Sequence, residues 1–322
     1  MKVHSITVKE AADLTQQLTQ KVLEGLSKTV VGNQVVIRKI LICLLSGGHV
    51  LLEDVPGIGK TTVARALAMA VGLDFQRIQF TPDLMPSDVT GFNIYNPKSS
   101  EFEFQEGAVN TQILLADEIN RSSPRTQSSL LEAMEEGQVT VEGKTYFLPE
   151  PFMVMATQNP VEHVGTYPLP EAQMDRFMMR LSIGYPSMEE ELVILERDAL
   201  RHLSQQVHAV ANAEEICQIR NTVEDVQASD EVKHYLLHLT RATRTNEWVE
   251  LGVSPRASMM LMKAASTLAL MEGRTYLKPD DIQWVAHDVL DHRMIMKPQA
   301  RGQGMDAHSV LDKILQETVA PR

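Results

Sequence analysis

Cysteine is scarce in this sequence, and repeats and biased tracts are missing. The 322 residues include two cysteines, Cys43 and Cys217, which cannot build a disulfide framework or a cysteine-based metal site. We expect both to be small buried hydrophobic side chains. The 17 Gly and 15 Pro are scattered, which excludes collagenous, low-complexity and disordered classes.

Long apolar runs are also missing. The uninterrupted aliphatic stretch at residues 40–45 is about a third of the roughly 20 residues that a membrane-spanning helix needs. Residues 1–10 mix charged with single apolar side chains, unlike the continuous apolar segment of a secretory signal. We therefore expect no membrane span and place the protein in the cytoplasm by default.

Acidic residues outnumber basic ones by 42 to 30, which makes the formal net charge −12. This charge disfavours binding to a phosphate backbone as the main function, so nucleic acid is not an expected partner. The hydrophobic fraction of 43% is enough for buried cores, and the length is typical of about two domains.

Strand and helix patterns alternate in the first half of the chain. Strand-like apolar runs lie at residues 49–53, 75–80, 112–116, 152–157 and 177–183. This alternation predicts an α/β fold, a mainly parallel sheet flanked by helices. Two inserted hairpins are predicted within residues 88–108 and 138–148.

After residue 185 the pattern becomes helical. Ser187 with Glu190 predicts a capping box that opens a helix, and further helices are predicted to begin at Ser229 and Ser254. We therefore expect an α/β core over residues 1–185 and an α-helical domain over residues 186–322.

A glycine-rich turn at residues 54–61 lies between a predicted strand and a predicted helix, which is the context of a phosphate-binding P-loop. Its glycines let backbone N–H groups surround a phosphate, Lys60 can reach the β and γ oxygens, and Thr61 can bind Mg²⁺. Asp54 stands where the usual pattern has its first glycine, which affects the first turn of the loop and not its phosphate-binding half. A turn that binds nothing is the alternative.

The apolar run at residues 113–118 ends in two adjacent carboxylates, Asp117 and Glu118. Asp117 can hold the Mg²⁺ shell, and Glu118 can polarise a water for attack on the γ-phosphate. Acidic residues at a strand end often form only a solvated turn. Their place downstream of a P-loop favours the second half of an ATP site.

Four segments together are more specific than either motif. Residues 52–57, 81–88, 117–121 and 130–136 resemble the MoxR family of AAA+ ATPases, and the resemblance spans about residues 25–290. It implies a P-loop AAA+ core followed by a helical lid domain, with ATP and Mg²⁺ as cofactors and ATP hydrolysis as the activity. The two hairpins match the helix-2 insert and the pre-sensor-1 insert of such proteins.

The resemblance also implies roles for single polar residues. Asn159 matches sensor 1, which helps to orient the attacking water, and an ordinary Asn-Pro turn is the alternative. Arg256, in the first turn of a lid helix, matches sensor 2, acting on the nucleotide of its own or a neighbouring subunit. A cation is unfavourable at a helix N-terminus, so a bound phosphate nearby would account for Arg256.

Arg176 matches the arginine finger, which stabilises transition-state charge on the nucleotide of a neighbouring subunit. A salt bridge to Asp175 or Glu171 is the alternative role, and Arg180 or Arg121 could be the finger instead. A finger that acts between subunits requires an assembly, and the resemblance implies a hexameric ring.

The implied nucleotide pocket comprises the P-loop, a strand-end acid and an apolar segment before the loop: Val31, Gly32, Pro56, Gly57, Ile58, Gly59, Lys60, Thr61, Thr62 and Asp117. Within it, Thr61 and Asp117 would hold the metal. The apolar segment could equally be plain core packing. Four hairpin side chains that we expect to be exposed could grip a partner near a ring axis: Phe92, Tyr95, Phe102 and Tyr146.

The family implies a chaperone-like remodeller or activator of protein complexes, with a separate partner that carries a von Willebrand factor A domain. The alternatives are a magnesium-chelatase-like motor subunit, an MCM-like DNA translocase, or a nucleotide-dependent scaffold with little turnover. Only Lys98 and Lys144 are basic at the hairpin tips, which is a poor DNA track. The histidine pairs are not expected to bind metal: His234 with His238, and His287 with His292.

Overall fold

The computed structural model describes residues 6–27, 30, 32–55, 57–159, 165–199 and 208–321. The helices in these ranges are α1 (Val8–Ser27), α2 (Gln34–Leu45), α3 (Lys60–Ala70), α4 (Pro86–Thr90), α5 (Pro124–Glu136), α6 (Glu171–Met174), α7 (Met188–Ala199), α8 (Ala213–Thr222), α9 (Asp230–Thr245), α10 (Pro255–Met271), α11 (Pro279–Leu290), α12 (Pro298–Gly302) and α13 (Ala307–Glu317). Among the described helices, none combines the length and the apolar character needed to cross a membrane.

One parallel sheet and three short antiparallel ribbons contain the described strands. The strands are β1 (Val50–Glu53), β2 (Phe75–Gln79), β3 (Gly91–Asn96), β4 (Glu101–Glu106), β5 (Ile113–Asp117), β6 (Gln138–Val141), β7 (Lys144–Phe147), β8 (Met153–Gln158), β9 (Met179–Leu181), β10 (Val249–Leu251) and β11 (Ile295–Met296). The sheet has the order β2-β5-β8-β1-β9, so strands that are distant in sequence lie side by side.

The central strands are buried because helices cover both faces of the sheet. β1, β5 and β8 are composed mostly of aliphatic and methionine side chains that solvent does not reach, as is usual in a parallel sheet covered on both faces. The edge strand β2 is only half-buried. The five predicted strand runs therefore form one sheet, and the predicted α/β fold is confirmed.

Helix ends follow the predicted capping signals. At the start of α5, the Ser123 hydroxyl accepts a hydrogen bond from the Thr126 N–H at 3.3 Å, and Gly137 ends the helix with a φ of 61°. Before α7, Ser187 and Glu190 cap each other reciprocally at 2.7 and 3.3 Å. These contacts satisfy backbone groups that have no partner inside the helix.

Both predicted hairpins are present, and they contact each other. The Phe104 and Tyr146 rings stack with centroids 3.8 Å apart, and Asn93 Nδ2 donates to Glu142 at 2.7 Å. Both rings also pack against a buried core cluster. Tyr146 is therefore half-buried, and the prediction that it is exposed to grip a partner is wrong. Because side chains alternate along a strand, the neighbouring Phe147 points outward and is 80% exposed.

The C-terminal helices pack directly against the sheet domain. α10 contacts α1 and α2, and α11 contacts β9. A continuous apolar cluster joins α2, α3 and β1 to the helices α9, α10, α11 and α13. The predicted change to helical structure after residue 185 is observed, while the position of the domain boundary stays a prediction.

A buried histidine connects the sheet to the end of α5. His49 Nδ1 accepts a hydrogen bond from the Val154 N–H at 2.9 Å, and Nε2 contacts the Met134 carbonyl at 3.0 Å. Only the neutral ring with its proton on Nε2 satisfies both contacts. Burial lowers the pKa of His49 to about 4, because a buried imidazolium would lose its hydration.

We predict that His49 makes folding sensitive to acid. In the unfolded chain the His49 ring has a pKa near 6.5, so as the pH falls it takes up a proton before the folded ring does. The contribution of His49 to the free energy of unfolding is therefore fully present above about pH 6.5. It is lost as the pH falls toward about 4, and the total loss is about 3 kcal/mol. Urea unfolding between pH 7.5 and 5 measures the slope. His49→Gln should reduce this slope, and the part that remains is expected from the buried His292, whose pKa burial also lowers. His238→Gln, at an exposed position of α9, should leave the slope unchanged, and equal slopes in the wild type and His49→Gln would contradict the assignment.

Candidate functional site

The turn after β1 leads directly into α3. Gly57 and Gly59 have φ angles of 87° and 88°, which glycine adopts without strain. A Cβ at either position would meet no atom within 4 Å, so the glycines leave open space beside the loop. Helix α3 begins at Lys60, with Thr61 half-buried and Thr62 exposed. A helix N-terminus beside an open glycine turn is suited to bind phosphate.

Lys60 folds back onto the loop that precedes it. Its Nζ donates to the carbonyl oxygens of Asp54 at 2.7 Å and Val55 at 3.2 Å. Partial burial lowers the pKa of Lys60, while the negative charges of Asp54, Asp117 and Glu118 act in the opposite direction. The loop lysine therefore lies within electrostatic reach of the two acidic residues at the end of β5.

Asp54 is a structural anchor. It is buried, and its carboxylate accepts hydrogen bonds from the Ser182 hydroxyl at 2.7 Å, the Ile183 N–H at 2.7 Å and the Gly184 N–H at 3.2 Å. These residues follow β9 and lead into the helical domain. The aspartate that stands in place of the usual glycine thus connects the start of the loop to the segment between the sheet and the helical domain.

Both carboxylate oxygens of Asp117 have partners. Oδ2 accepts from Arg77 Nε at 3.1 Å and Nη2 at 2.7 Å, and Oδ1 accepts from the Thr157 hydroxyl at 2.5 Å. Arg77 comes from β2 and Thr157 from β8, the two strands that flank β5. The neighbouring strands therefore fix the orientation of this carboxylate.

Glu118 has a φ of 54°, an uncommon backbone conformation for a residue with a side chain. Its N–H donates to the Thr157 hydroxyl at 2.8 Å. Its Oε2 accepts from Gln79 Nε2 at 2.8 Å and Arg121 Nη1 at 2.9 Å. Backbone and side-chain contacts together hold the Glu118 carboxylate at the edge of the sheet.

Asn159 lies at the same edge of the sheet. It directly follows β8, which pairs in parallel with β5 so that Ala116 is opposite Ala156. Parallel strands end in the same direction, and the residues after β5 and β8 are therefore neighbours. Asn159 therefore lies at the same edge of the sheet as Asp117 and Glu118.

The remaining predicted pocket residues are only partly described. Val31 and Pro56 lie outside the described residues. Gly32 has a φ of 71°, and a Cβ there would collide with the Glu190 carboxylate of α7, so its lack of a side chain permits the close approach of that helix. Ile58 is half-buried against the main core cluster. The role of this segment as a wall for adenine stays a prediction.

Arg176 and Arg256 share one carboxylate. Arg176 Nη2 lies 3.0 Å from Glu135 Oε2, and Arg256 Nη1 lies 2.9 Å from Glu135 Oε1. Arg180 pairs with Glu53 at 3.3 Å. The three cations come from the loop before β9, from α10 and from β9, so only the tertiary structure shows that two of them meet at the end of α5.

Arg176 does form a salt bridge, as the alternative prediction had it, but its partner is Glu135 and not Asp175 or Glu171. Asp175 instead accepts from the buried Arg293 Nε at 2.6 Å and from the Ser254 hydroxyl at 3.3 Å. Arg293 Nη2 also donates to the Phe177 carbonyl at 2.6 Å. A buried arginine of the helical domain therefore holds the loop that carries Arg176.

Sequence reasoning missed the residues that orient the site: Arg77, Gln79, Glu135, Thr157 and Arg293. Glu135 lies within the segment 130–136 and Thr157 within the predicted strand at residues 152–157, but neither pattern indicates a role for the side chain. Arg77 and Gln79 are two residues apart on β2, and strand alternation would have placed both on one face. The local sequence does not indicate the partners of Glu135 or Arg293, because those partners are distant along the chain.

His287 has neighbours that its pairing with His292 in the sequence does not indicate. His287 lies beside Asp291 and His308, and their ligand atoms are within 4.8 Å of one another. This is the only such cluster of metal-ligating groups in the described part of the chain. His234 and His238 belong to no such cluster among the described residues. His292 is buried, with its Nε2 3.2 Å from the Phe177 carbonyl.

The described residues fit a nucleotide with Mg²⁺. Open space beside two glycines, a helix N-terminus and one lysine suit phosphate oxygens. Thr61 at the start of α3 and Asp117 at the end of β5 are oxygen ligands of the kind that Mg²⁺ prefers. Glu118 directly follows Asp117, and its carboxylate is held by two donors.

Comparison with protein families matches both parts of the chain. Residues 49–179 match the family described as "ATPase family associated with various cellular activities (AAA)". Residues 241–314 match the family described as "AAA lid domain". The first match contains the glycine turn and the acidic strand end, and the second contains Arg256 and Arg293.

Several relatives match almost the whole chain. The chain is 50% identical to the uncharacterized protein YeaC of Bacillus subtilis, covering 94% of this chain and 95% of that protein. It is 40% identical to "Chaperone MoxR1" of Mycobacterium tuberculosis, covering 94% and 82%. A crystal structure of a suspected ATPase from Cytophaga hutchinsonii superposes with a TM-score of 0.91 at 40% identity, covering 97% and 98%.

We predict that Asp54→Ala lowers the free energy of unfolding by about 3 kcal/mol, because two backbone N–H groups and a hydroxyl lose a charged acceptor. Asp54→Asn keeps one oxygen as acceptor and should cost less. Urea unfolding followed by circular dichroism measures both, with Asp13→Ala at an exposed position of α1 as the matched control. If Asp54→Ala were as stable as this control, Asp54 would not be the anchor.

Proposed function

The chain belongs to the MoxR family of AAA+ ATPases, and from this premise we propose that it hydrolyses ATP with Mg²⁺ to remodel or activate protein complexes. The observation that carries the proposal is that Lys60, at the start of α3 beside the open glycine turn, lies within the electrostatic reach of Asp117 and Glu118. Phosphate binding, metal binding and water activation need these three groups within reach of one another.

Each group has a distinct role in the proposed reaction. Lys60 and the N-terminus of α3 bind the phosphates, while Thr61 and Asp117 hold Mg²⁺, which when bound neutralises charge on the phosphate oxygens. Glu118 accepts a proton from the attacking water, and Asn159 orients that water. Gln79 and Arg121 position the Glu118 carboxylate through the hydrogen bonds already described.

We place the arginine finger at Arg176. Arg121 is engaged with Glu118, and Arg180 with Glu53 next to the loop, so both alternatives already contact their own subunit's site. Arg176 and Arg256 share the single carboxylate of Glu135, which leaves an excess of positive charge for an anion. A neighbouring subunit's γ-phosphate would supply that anion in a hexameric ring.

The exposed hairpin side chains are the surface we assign to the client protein. Phe92, Tyr95 and Phe102 are each at least two-fifths exposed, and apolar groups held outward in this way favour contact with another protein. A partner that carries a von Willebrand factor A domain would be a separate chain. The site of action would be the cytoplasm.

A magnesium-chelatase-like motor subunit uses the same ATP site for a different client, and a scaffold would bind ATP with little turnover. The complete set of Lys60, Thr61, Asp117, Glu118 and Asn159 favours turnover over a scaffold. Steady hydrolysis by the wild type would exclude the scaffold.

We predict that Lys60→Ala abolishes ATP binding and that Glu118→Gln binds ATP but hydrolyses it about 10²-fold to 10⁴-fold more slowly, because the proton acceptor is lost. Nucleotide binding by calorimetry and phosphate release with Mg²⁺ measure the two effects. Glu132→Gln, an exposed position on α5, is the matched control and should hydrolyse ATP normally. Full turnover by Glu118→Gln would remove Glu118 as the base.

We also predict complementation between two inactive variants. Arg176→Ala should lower turnover by roughly 10³-fold or more, because a finger stabilises transition-state charge. Mixed with Lys60→Ala, it should regain activity, since one subunit supplies the finger and the other an intact P-loop.

The control for complementation is Arg125→Ala, an exposed arginine on α5, which should be active alone. Phosphate release is measured against total protein concentration, and specific activity should rise as subunits assemble. Concentration-independent turnover with a fully active Arg176→Ala would refute the shared site.

A further inference from the structure

Two histidine and aspartate pairs meet on the lid domain, away from the residues assigned to ATP. His287 and Asp291 are one helical turn apart at the end of α11, and His308 and Asp312 are one turn apart on α13. Residues spaced by four share a helix face. The packing of α13 on the end of α11 brings the two pairs into contact.

The two Nδ1 atoms converge on one carboxylate oxygen. His287 Nδ1 lies 3.1 Å from Asp291 Oδ2, and His308 Nδ1 lies 2.9 Å from the same atom. The imidazole rings are 3.9 Å apart between centroids and tilted by 35°. Ligand atoms of His287, Asp291 and His308, from the end of α11 and from α13, therefore lie within 4.8 Å of one another. Such a set resembles a metal site with two histidines and a carboxylate.

The fourth residue lies on the other side of both rings. His287 Nε2 is 3.2 Å from Asp312 Oδ1, and His308 Nε2 is 3.8 Å from Asp312 Oδ2. A histidine bound to a metal usually donates its remaining N–H to a carboxylate, which fixes the ring and raises its affinity for the ion. Asp312 is placed to do this for both histidines.

A metal ion at the two Nδ1 atoms would leave each ring its one N–H on Nε2, the nitrogen on the side of Asp312.

The surroundings of the cluster also favour a cation. The carboxylates of Asp291 and Asp312 place negative charge on both sides of the two imidazole rings. His308 is 60% exposed, which leaves a path for an ion and a water ligand.

We propose that His287, Asp291 and His308 bind a zinc-type divalent cation, that Asp312 orients both imidazoles, and that the ion fastens α13 to α11. Imidazole ligands favour Zn²⁺ over Mg²⁺, so the site is chemically distinct from the one assigned to the nucleotide. Its role is structural, because the ion joins the last helix of the described chain to the rest of the lid.

The test is a Zn²⁺ titration of the full chain, freed of metal and nucleotide, against a chromogenic chelator. We expect one Zn²⁺ per chain. His308→Gln should lose this binding, and Asp312→Asn should retain it with 10-fold to 100-fold lower affinity, the usual effect of losing a carboxylate behind a ligand. His238→Gln should bind like the wild type.

Thermal unfolding with and without Zn²⁺ is the second measurement. The ion should raise the Tm of the wild type and of His238→Gln, because it binds only the folded lid, but not that of His308→Gln. Zn²⁺ affinity should also fall as the pH is lowered, since protons compete for the ring nitrogens. Absence of stoichiometric binding, or binding unchanged in His308→Gln, would overturn the site and leave a cluster of hydrogen-bonded histidine and aspartate side chains.

Discussion

Parallel pairing of β5, β8 and β1 is the constraint on which the candidate site depends. All three strands end at one edge of the sheet, and each end carries a different part of the chemistry: the glycine turn after β1, the acidic pair at the end of β5, and Asn159 after β8. The apolar composition of these strands requires burial on both faces, so the polar residues can emerge only at the edge. The apolar strands that form the buried sheet therefore also place the polar residues of the candidate site together at one edge.

Buried polar contacts determine how the loops are held at that edge. Asp54 binds the segment that leads from β9 to the lid, and Arg293 of the lid binds Asp175 beside the Arg176 loop. A buried charge is tolerated only when its partners satisfy it, so these contacts restrict the position of the helical domain relative to the sheet. Residues of the lid therefore take part in presenting Arg176 and Arg256 together at Glu135.

Much of the fold could be predicted from local patterns. Apolar runs identified the five strands, and capping signals located the starts of α5 and α7. Prediction failed where side chains choose between two environments. Tyr146 is half-buried against Phe104 because the two hairpins contact each other, and Arg176 pairs with Glu135 because Asp175 is already bound to Arg293. These outcomes depend on which distant elements meet, a choice that no local pattern contains.

Residue types at short spacing along the chain were enough to predict the chemistry of the candidate site. A glycine turn before Lys60, an acidic pair after an apolar strand and the surrounding segments indicated an ATP site and its family, because phosphate binding needs those residue types at short spacing. The groups that orient these residues are visible only in the folded chain, such as Thr157 between Asp117 and Glu118. The contact between His287 and His308 likewise results from the packing of distant helices. Hydrogen bonds and ion pairs act over a few ångströms, and chain folding, not sequence distance, brings their partners within that range.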